Sequence, residues 1–316
     1  MQVSGVGILF PGQGSQSVGM GADLFEARPD LLGARADQVL GFSLRTLCLD
    51  GPEEELTGTE HAQPALFALS YALWDMVESE GVPVPAGAAG HSLGEYTALT
   101  AAGVFDYDTA LALVARRGRA MGAAAGVEES GMAALLGADP EVAEEVTRRR
   151  RDEGGRLEVA NVNAPGQVVV AGGKDDIDWL AENGGKFGIR RVIRLPVAGA
   201  FHSGFMVPAQ TEVGAALDAS EMRSPSFPVW SNTTARPHRP GRIGELLVRQ
   251  LVEPVLFADS LADMAGAGID TFVHIGPGDV TAGLARRTVP GAMVHTISRV
   301  EDIPLVLDAL GTMGAH

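Results

Sequence analysis

Short apolar runs alternate with helical patterns along the first part of the chain. Residues 6–10 form an apolar run that ends in the turn sequence PGQG, and a small-residue run at 86–89 leads into GHSLG. Apolar residues recur with helical spacing over 62–77 and 106–121, and a buried helix is predicted directly after GHSLG. This alternation of strand, turn and helix favours an α/β fold with a parallel sheet.

The middle of the chain has a different order of elements. Strands are predicted at 132–136, 157–161, 167–171 and 190–195, with helices at 141–151 and 175–183. This β-α-β-β-α-β order is the ferredoxin-like pattern. We therefore predict a small ferredoxin-like subdomain at 129–197, inserted into a large subdomain formed by 1–128 and 198–316. Gly-rich segments at 122–131 and 197–204 are predicted as hinges. The last third returns to α/β, with strands at 228–232 and 271–275 and helices at 243–251 and after GPGD.

Composition narrows the classes of protein that fit. The chain has 24 Lys and Arg residues against 40 Asp and Glu residues, a net charge of −16, which argues against nucleic-acid binding. Its one cysteine, Cys48, excludes a disulfide framework and a cysteine-based zinc site. No run of about 20 apolar residues is present, and the first residues lack the pattern of a signal peptide. We therefore expect no membrane span and a cytoplasmic location.

The sharpest chemical motif is GHSLG at 90–94, a G-x-S-x-G nucleophile elbow. In such an elbow a serine sits on a sharp strand-to-helix turn, and glycines flank it because the turn leaves no room for larger side chains. The pattern predicts Ser92 as a nucleophile and the backbone N–H of Leu93 as one oxyanion-hole donor.

A serine nucleophile needs a base, and two histidines compete for that role. His202 follows a small-residue stretch at the end of an apolar strand, whereas His274 lies within the apolar run FVHIG. His202 is favoured. In a hydrolase triad an acidic residue between Ser92 and His202 in the chain would be the third member, and the candidates for that role fall in the predicted insert. This weakens a plain hydrolase interpretation and favours a backbone carbonyl as the group that orients the histidine.

Seven ordered motifs carry a family resemblance. They are LFPGQGSQ at 9–16, AQPAL at 62–66, GHSLGEY at 90–96, RRG at 116–118, NAPGQ at 163–167, GAFHS at 199–203 and SNTTARP at 231–237. Over nearly its whole length the chain resembles the malonyl-CoA:acyl carrier protein transacylases and the acyltransferase domains of polyketide synthases. The resemblance implies an α/β-hydrolase-like domain with a ferredoxin-like insert, in agreement with the order of elements above.

The resemblance also implies roles for particular residues. Ser92 would carry the acyl group and His202 would act as the base, with the N–H groups of Gln13 and Leu93 as the oxyanion hole. The carbonyl of Gln250 would orient the histidine. Arg117 would pair with the carboxylate of a malonyl group, and Phe201 before the histidine is typical of malonyl users.

The resemblance further implies a small acidic acyl carrier protein as partner. The candidate contacts are three groups of arginines, at 148–151, at 190, 191 and 194, and at 286, 287 and 299. From these and the region after the histidine, Arg151, Arg287, Arg299 and Met206 are the predicted contacts. Because this chain is itself acidic, we expect weak long-range attraction and recognition by a few local arginines. No bound cofactor or metal is expected, since the substrates are acyl-CoA and acyl-phosphopantetheine thioesters. A monomer is expected.

Some positions depart from the malonyl pattern and leave alternatives open. Leu256-Phe257 stands where Arg-Trp is common, Trp230 stands where smaller aliphatics are usual, and Asp279 follows GPG where a basic residue is frequent. One alternative is a trans-acting enzyme of a polyketide pathway that moves a non-malonyl acyl or aminoacyl group between carrier proteins. The others are a thioester hydrolase and a carrier-binding scaffold without activity.

Overall fold

The computed structural model describes residues 5–82 and 84–311, so the predicted domain limits at 1 and 316 lie outside the described residues. The strands are β1 (Gly5–Phe10), β2 (Gly87–Gly90), β3 (Ser130–Leu136), β4 (Leu157–Ala164), β5 (Gln167–Gly173), β6 (Arg191–Arg194), β7 (Val229–Trp230), β8 (Val255–Leu256), β9 (Ile269–Ile275) and β10 (Met293–Ile297).

The helices surround these strands and carry most of the buried apolar surface. They are α1 (Ala22–Ala27), α2 (Pro29–Leu32), α3 (Ala34–Leu40), α4 (Leu44–Asp50), α5 (Glu53–Thr57), α6 (Thr59–Ser79), α7 (Gly94–Ala101), α8 (Tyr107–Ala125), α9 (Pro140–Asp152), α10 (Lys174–Asn183), α11 (Val207–Asp218), α12 (Ile243–Arg249), α13 (Phe257–Gly266), α14 (Val280–Thr288) and α15 (Asp302–Gly311). Short 3-10 helices lie at Gly184–Phe187 and Gly204–Met206. None of the described helices has both the length and the apolar content needed to cross a membrane.

The large sheet is parallel throughout, in the order β10-β9-β1-β2-β7. Phe10 at the end of β1 pairs with Gly90 at the end of β2. The turn PGQG and the motif GHSLG therefore leave the same edge of the sheet side by side, where the carboxyl ends of parallel strands commonly hold a site.

The small sheet has the order β6-β3-β5-β4-β8. Its first four strands are antiparallel and have the predicted ferredoxin-like order of elements, with α9 and α10 as the connecting helices. The fifth strand, β8, pairs in parallel with β4 and comes from far beyond the predicted insert. The small sheet thus contains a strand from the part of the chain assigned to the large subdomain, while the limits of the two subdomains stay a prediction.

Two long helices bring polar residues toward the edge of the large sheet. Helices α6 and α8 are buried along most of their length. At their crossing, a Cβ on Gly118 would lie 2.8 Å from the carbonyl oxygen of Thr59. Glycine at this position lets α8 approach α6 closely, and the neighbouring Arg117 reaches Gln63 on α6.

Candidate active site

The elbow between β2 and α7 holds Ser92 in a backbone conformation that few side-chain-bearing residues adopt. Its φ angle is 54°, in the left-handed region. A Cβ on Gly90 would lie 1.9 Å from the carbonyl carbon of Gly94, and one on Gly94 would lie 2.5 Å from the carbonyl oxygen of Phe10. Both glycines are therefore required by contacts with backbone, as the G-x-S-x-G pattern predicts.

Ser92, His202 and Gln250 form a hydrogen-bonded relay. Ser92 Oγ lies 2.8 Å from His202 Nε2, and His202 Nδ1 lies 2.7 Å from the carbonyl oxygen of Gln250. Because a carbonyl only accepts, Nδ1 carries the proton and donates it, which leaves Nε2 free to accept from the serine hydroxyl. Burial, and secondarily the charge of Arg117, lowers the pKa of His202 to about 3. The imidazole is therefore neutral at physiological pH and ready to act as a base.

His274, the competing histidine, lies elsewhere. It is fully buried in β9, where its ring contacts Thr281 Oγ1 and lies 3.1 Å from the carbonyl oxygen of Gly276. Burial lowers its pKa to about 4. The structure thus brings His202 and not His274 to the serine.

The two predicted oxyanion-hole donors flank the serine. Leu93 follows it directly at the start of α7, and Gln13 lies in the turn after β1, where a Cβ on the adjacent Gly12 would lie 2.6 Å from the carbonyl oxygen of His91. The side chain of Gln13 is turned away toward Thr59 Oγ1, 3.3 Å distant. Across the described chain neither the Gln13 nor the Leu93 N–H donates to a protein acceptor, so both remain available for a developing oxyanion.

Arg117 is buried beside the nucleophile, with 1% of its surface exposed. Its Nη2 donates to Ser92 Oγ at 3.0 Å and to Gln250 Oε1 at 2.8 Å, and its Nη1 donates to Gln63 Oε1. Its Nε has no hydrogen-bond partner in the described residues. Burial lowers the pKa of Arg117, and the neighbouring Tyr96 and Glu95 oppose that shift. The guanidinium thus contacts neutral amides and the serine hydroxyl, and no carboxylate pairs with it directly within residues 5–82 and 84–311.

Four residues that the sequence analysis did not assign support these groups. Gln63 holds Arg117, and Asn232 Oδ1 accepts the N–H of Ser92 at 2.8 Å. Glu95 lies beneath them and bonds to His238. Gln63, Glu95 and Asn232 belong to the motifs AQPAL, GHSLGEY and SNTTARP, which was the available signal. Nothing in the sequence distinguished His238.

The remaining predicted residues are placed as follows. Phe201 is buried next to His202. Met206 is fully buried and packs in the main core cluster, so the prediction that it contacts a carrier protein is wrong. Arg151 pairs with Glu144 and Arg299 with Glu301, which engages both guanidinium groups.

The unusual aromatic residues have structural roles. Trp230 packs in a core cluster with Phe257 and donates from its indole nitrogen to Asp263 at 2.8 Å. A Cβ on Gly87 would lie 2.3 Å from the Trp230 ring, so the glycine makes room for it. Phe257 packs edge-on against His91, with ring centroids 5.3 Å apart. In the described part of the chain no group of three or more His, Cys, Asp or Glu side chains is placed to hold a metal ion.

Comparisons with known proteins agree with this geometry. The family model described as "Acyl transferase domain" matches residues 8–305. The malonyl CoA-acyl carrier protein transacylase of Bacillus subtilis (strain 168) is 39% identical over 311 residues, which cover 98% of each protein. The crystal structure of an acyl-carrier-protein-S-malonyltransferase from Bartonella henselae has a TM-score of 0.92 and 37% identity, covering 97% of this chain and 99% of that one.

A second solved structure includes a partner. It is a malonyl-transacylase in complex with its type II PKS acyl carrier protein, with a TM-score of 0.91 and 35% identity over 97% of this chain and 100% of that one. Together with the two sheets described above, these similarities confirm the predicted fold class.

Proposed function

Because the chain belongs to the acyl transferase domain family, we propose that it moves a malonyl group from malonyl-CoA to an acyl carrier protein in fatty acid or polyketide biosynthesis. The observation that carries this proposal is the buried Arg117 guanidinium, 3.0 Å from the oxygen of a serine that is paired with a neutral histidine. A cation beside the nucleophilic oxygen favours an acyl group that ends in a carboxylate, because the opposite charges attract and the guanidinium can donate hydrogen bonds to the carboxylate.

In the first half-reaction the Ser92 hydroxyl gives its proton to His202 Nε2 as the oxygen attacks the thioester carbonyl carbon. The carbonyl oxygen becomes an oxyanion, which the N–H groups of Gln13 and Leu93 stabilise. The C–S bond then breaks, and the imidazolium returns the proton to the leaving CoA sulfur. The products are a malonyl ester on Ser92 and free CoA thiol.

The second half-reaction runs the same steps with a new nucleophile. The thiol of a carrier-bound phosphopantetheine gives its proton to His202 as its sulfur attacks the ester carbonyl. The C–O bond to Ser92 breaks, and the serine oxygen recovers the proton from the imidazolium. No metal or bound cofactor enters either step of this proposal.

Arg117 suits the carboxylate of the cargo because its present partners are neutral. The amide oxygens of Gln63 and Gln250 orient the fork without neutralising its charge. A malonyl carboxylate would accept hydrogen bonds from Nε and from Nη2, which Ser92 and Gln250 now share. The planar guanidinium matches a planar carboxylate.

For the carrier protein we propose a contact patch formed by Arg190, Arg191, Arg286 and Arg287. Arg287 on α14 bonds to the side chain of Gln167 and to the carbonyl oxygen of Pro165 in the turn between β4 and β5. Arg190 packs over Gly137, which donates its N–H to Gly166 in the same turn.

These four arginines form no ion pair with a carboxylate in the described residues, unlike the predicted contacts Arg151 and Arg299. Their charge is therefore free to attract an acidic partner. Of Arg151, Met206, Arg287 and Arg299, only Arg287 lies in this patch; its other members belong to the arginine groups that the sequence analysis gave as candidates. The cytoplasmic location and the monomeric state stay predictions.

The test of the cargo is an intact-mass measurement of the enzyme after brief incubation with malonyl-CoA, methylmalonyl-CoA or acetyl-CoA. We expect malonyl on Ser92 as the fastest product and none on a Ser92→Ala variant. Arg117→Ala should slow malonyl labelling at least about 10-fold, because it removes a charge-assisted hydrogen bond. Preference for another acyl group, or undiminished malonyl labelling in Arg117→Ala, would contradict the proposed cargo.

A further inference from the structure

A buried carboxylate lies one layer beneath the reacting groups. Glu95 is fully buried on the first turn of α7, and the side chains of both Glu95 and His238 have no exposed surface. The chain places His238 there by returning after the loop at 231–237, where the N–H of His238 donates to the carbonyl oxygen of Val229. The mechanism proposed above uses neither residue.

Every polar atom that Glu95 contacts is a hydrogen-bond donor. Its Oε2 accepts from Gln250 Nε2 at 2.7 Å and from the Asn232 N–H at 3.0 Å, and its Oε1 accepts from His238 Nε2 at 2.6 Å. An ionised carboxylate has only acceptors and so satisfies all three donors. The other ring nitrogen of His238, Nδ1, is buried and has no hydrogen-bond partner in the described residues.

Glu95 accepts hydrogen bonds from Gln250 and Asn232, and these two residues in turn bond to Arg117 and to the elbow at Ser92. The carboxamide of Gln250 must point its nitrogen at Glu95, so its oxygen faces Arg117 at 2.8 Å, while its nitrogen also donates to the Ser92 carbonyl oxygen at 2.9 Å. Asn232 Oδ1 accepts the Ser92 N–H and its Nδ2 donates to the Gly90 carbonyl oxygen at 2.8 Å. Without Glu95, the Gln250 amide nitrogen keeps only the carbonyl oxygen of Ser92 and, at 3.3 Å, Asn232 Oδ1 as acceptors. The orientation of the amide oxygen toward Arg117 is then held less tightly.

We propose that Glu95 is a positioning residue, held by His238, that fixes Gln250 for Arg117 and Asn232 for the elbow. The part that concerns Asn232 and Ser92 depends only on the geometry of the nucleophile. The part that concerns Arg117 rests on the proposed function, since it requires a carboxylate on the cargo.

The contact between Glu95 and His238 allows a rescue test, because a change of the protonated nitrogen on His238 can compensate for a substitution of Glu95. In Glu95→Gln the amide oxygen can still accept from Gln250 and Asn232, provided that its nitrogen has an acceptor on the other side. His238 supplies one by moving its proton to Nδ1, so that Nε2 accepts. In Glu95→Leu no acceptor remains. In Glu95→Gln combined with His238→Leu the amide oxygen still accepts from Gln250 and Asn232, but the amide nitrogen is buried without an acceptor, because His238 Nε2 was the partner on that side.

The experiment compares these variants in the full chain with two readouts. One is the single-turnover rate of malonyl transfer to Ser92, and the other is the rate at which a fluorophosphonate probe labels Ser92, which needs no acyl donor. We expect Glu95→Leu to slow both rates, malonyl transfer at least about 10-fold, because it removes hydrogen bonds to a charged acceptor. Glu95→Gln should lose less than about fivefold, and the double variant should lose clearly more than Glu95→Gln, because its buried amide nitrogen has no acceptor.

A matched control separates positioning from folding. Asp176 is another buried carboxylate, which accepts from Arg150 at 2.6 Å and from the Arg156 N–H at 2.9 Å in the small subdomain. Asp176→Leu should lower the thermal midpoint without changing how fast Ser92 is labelled in folded protein. If Glu95→Leu does not fold, the comparison of Glu95→Gln with the double variant decides.

Two results would overturn the inference: wild-type labelling rates in folded Glu95→Leu, or a Glu95→Gln enzyme as slow as the double variant. Failure of the proposed function is a different result. In that case the wild type takes the fluorophosphonate but no malonyl group, and the probe rates alone still test the position of Ser92.

Discussion

At the scale of single residues, the site keeps a cation and a neutral base within one hydrogen-bond network. Arg117 and His202 both contact Ser92 Oγ, and the charge of Arg117 helps to lower the pKa of His202. Burial, and after it the positive charge of the guanidinium, keeps the imidazole unprotonated. Ser92 and His202 also share left-handed backbone angles, φ 54° and 58°, a costly conformation that functional sites retain.

This coupling predicts the acid limb of the pH profile. The pKa of His202 is about 3, so the fluorophosphonate labelling rate of Ser92 should hold steady as the pH falls from neutrality and drop only as it nears that value. In Arg117→Ala the repulsion of the imidazolium is removed, the pKa of His202 rises, and the drop should move to higher pH. An unchanged profile in Arg117→Ala would show that the two groups are not coupled.

At the scale of elements, sequence patterns predicted the parts of the fold with strong signals. The strand before PGQG, the elbow helix and the ferredoxin-like order of elements are where the patterns placed them. The short helices α1–α5 were missed because few of them reach two turns, too short for a helical period to stand out. Helix α8 continues to Ala125, into the predicted hinge at 122–131, because alanines favour helix despite Gly122.

Other features were beyond sequence reasoning because they depend on contacts between distant segments. β8 is two residues long and exists only through its pairing with β4. Similarly, Ser92 and His202 each carry local signals, but His238 meets Glu95 only after the loop at 231–237 folds back. The predicted carrier contact at Met206 was wrong because the local sequence does not show which face of the 3-10 helix packs into the core.

The elbow makes a prediction at this scale. Gly94→Ala should lower the free energy of unfolding by roughly 1–3 kcal/mol, because the new Cβ meets backbone oxygens of Phe10 and Pro11 that cannot move aside easily. Ser92 labelling should fall with it. Denaturant unfolding checks the first effect. Gly283→Ala is the matched control: it lies in α14 with open space around a Cβ and should stabilise by up to about 1 kcal/mol. Equal effects of the two substitutions would contradict the steric account.

At the scale of the whole molecule, the net charge of −16 opposes an acidic partner. Most arginines are paired with carboxylates of the same chain, as Arg35 is with Asp108 and Arg149 with Glu153. The patch arginines Arg190, Arg191, Arg286 and Arg287 lack such pairs in the described residues, as do Arg117, Arg119 and Arg239 elsewhere in the chain. Salt weakens the local attraction and the overall repulsion together, so transfer should depend only modestly on ionic strength.

Charge reversal in the patch tests this account of recognition. Arg287→Glu and Arg190→Glu should each raise the KM for the carrier protein several-fold while leaving malonyl transfer from CoA to Ser92 intact, because the patch acts only in the second half-reaction. Arg45→Glu, on α4 and paired with Glu26, is the matched control of equal charge change. If all three variants shift the KM equally, net charge governs recognition and the patch does not.

The central claim, that Ser92 carries an acyl group destined for a carrier thiol, is tested most directly by a chase. Malonylated enzyme, freed of CoA, is mixed with a carrier protein that bears phosphopantetheine, with the same carrier lacking it, or with buffer. We predict that the malonyl mass leaves the enzyme and appears on the phosphopantetheine carrier alone, and that the ester persists in the other two samples. Loss of the malonyl group to water at the same rate in all three samples would contradict the claim and identify a thioester hydrolase.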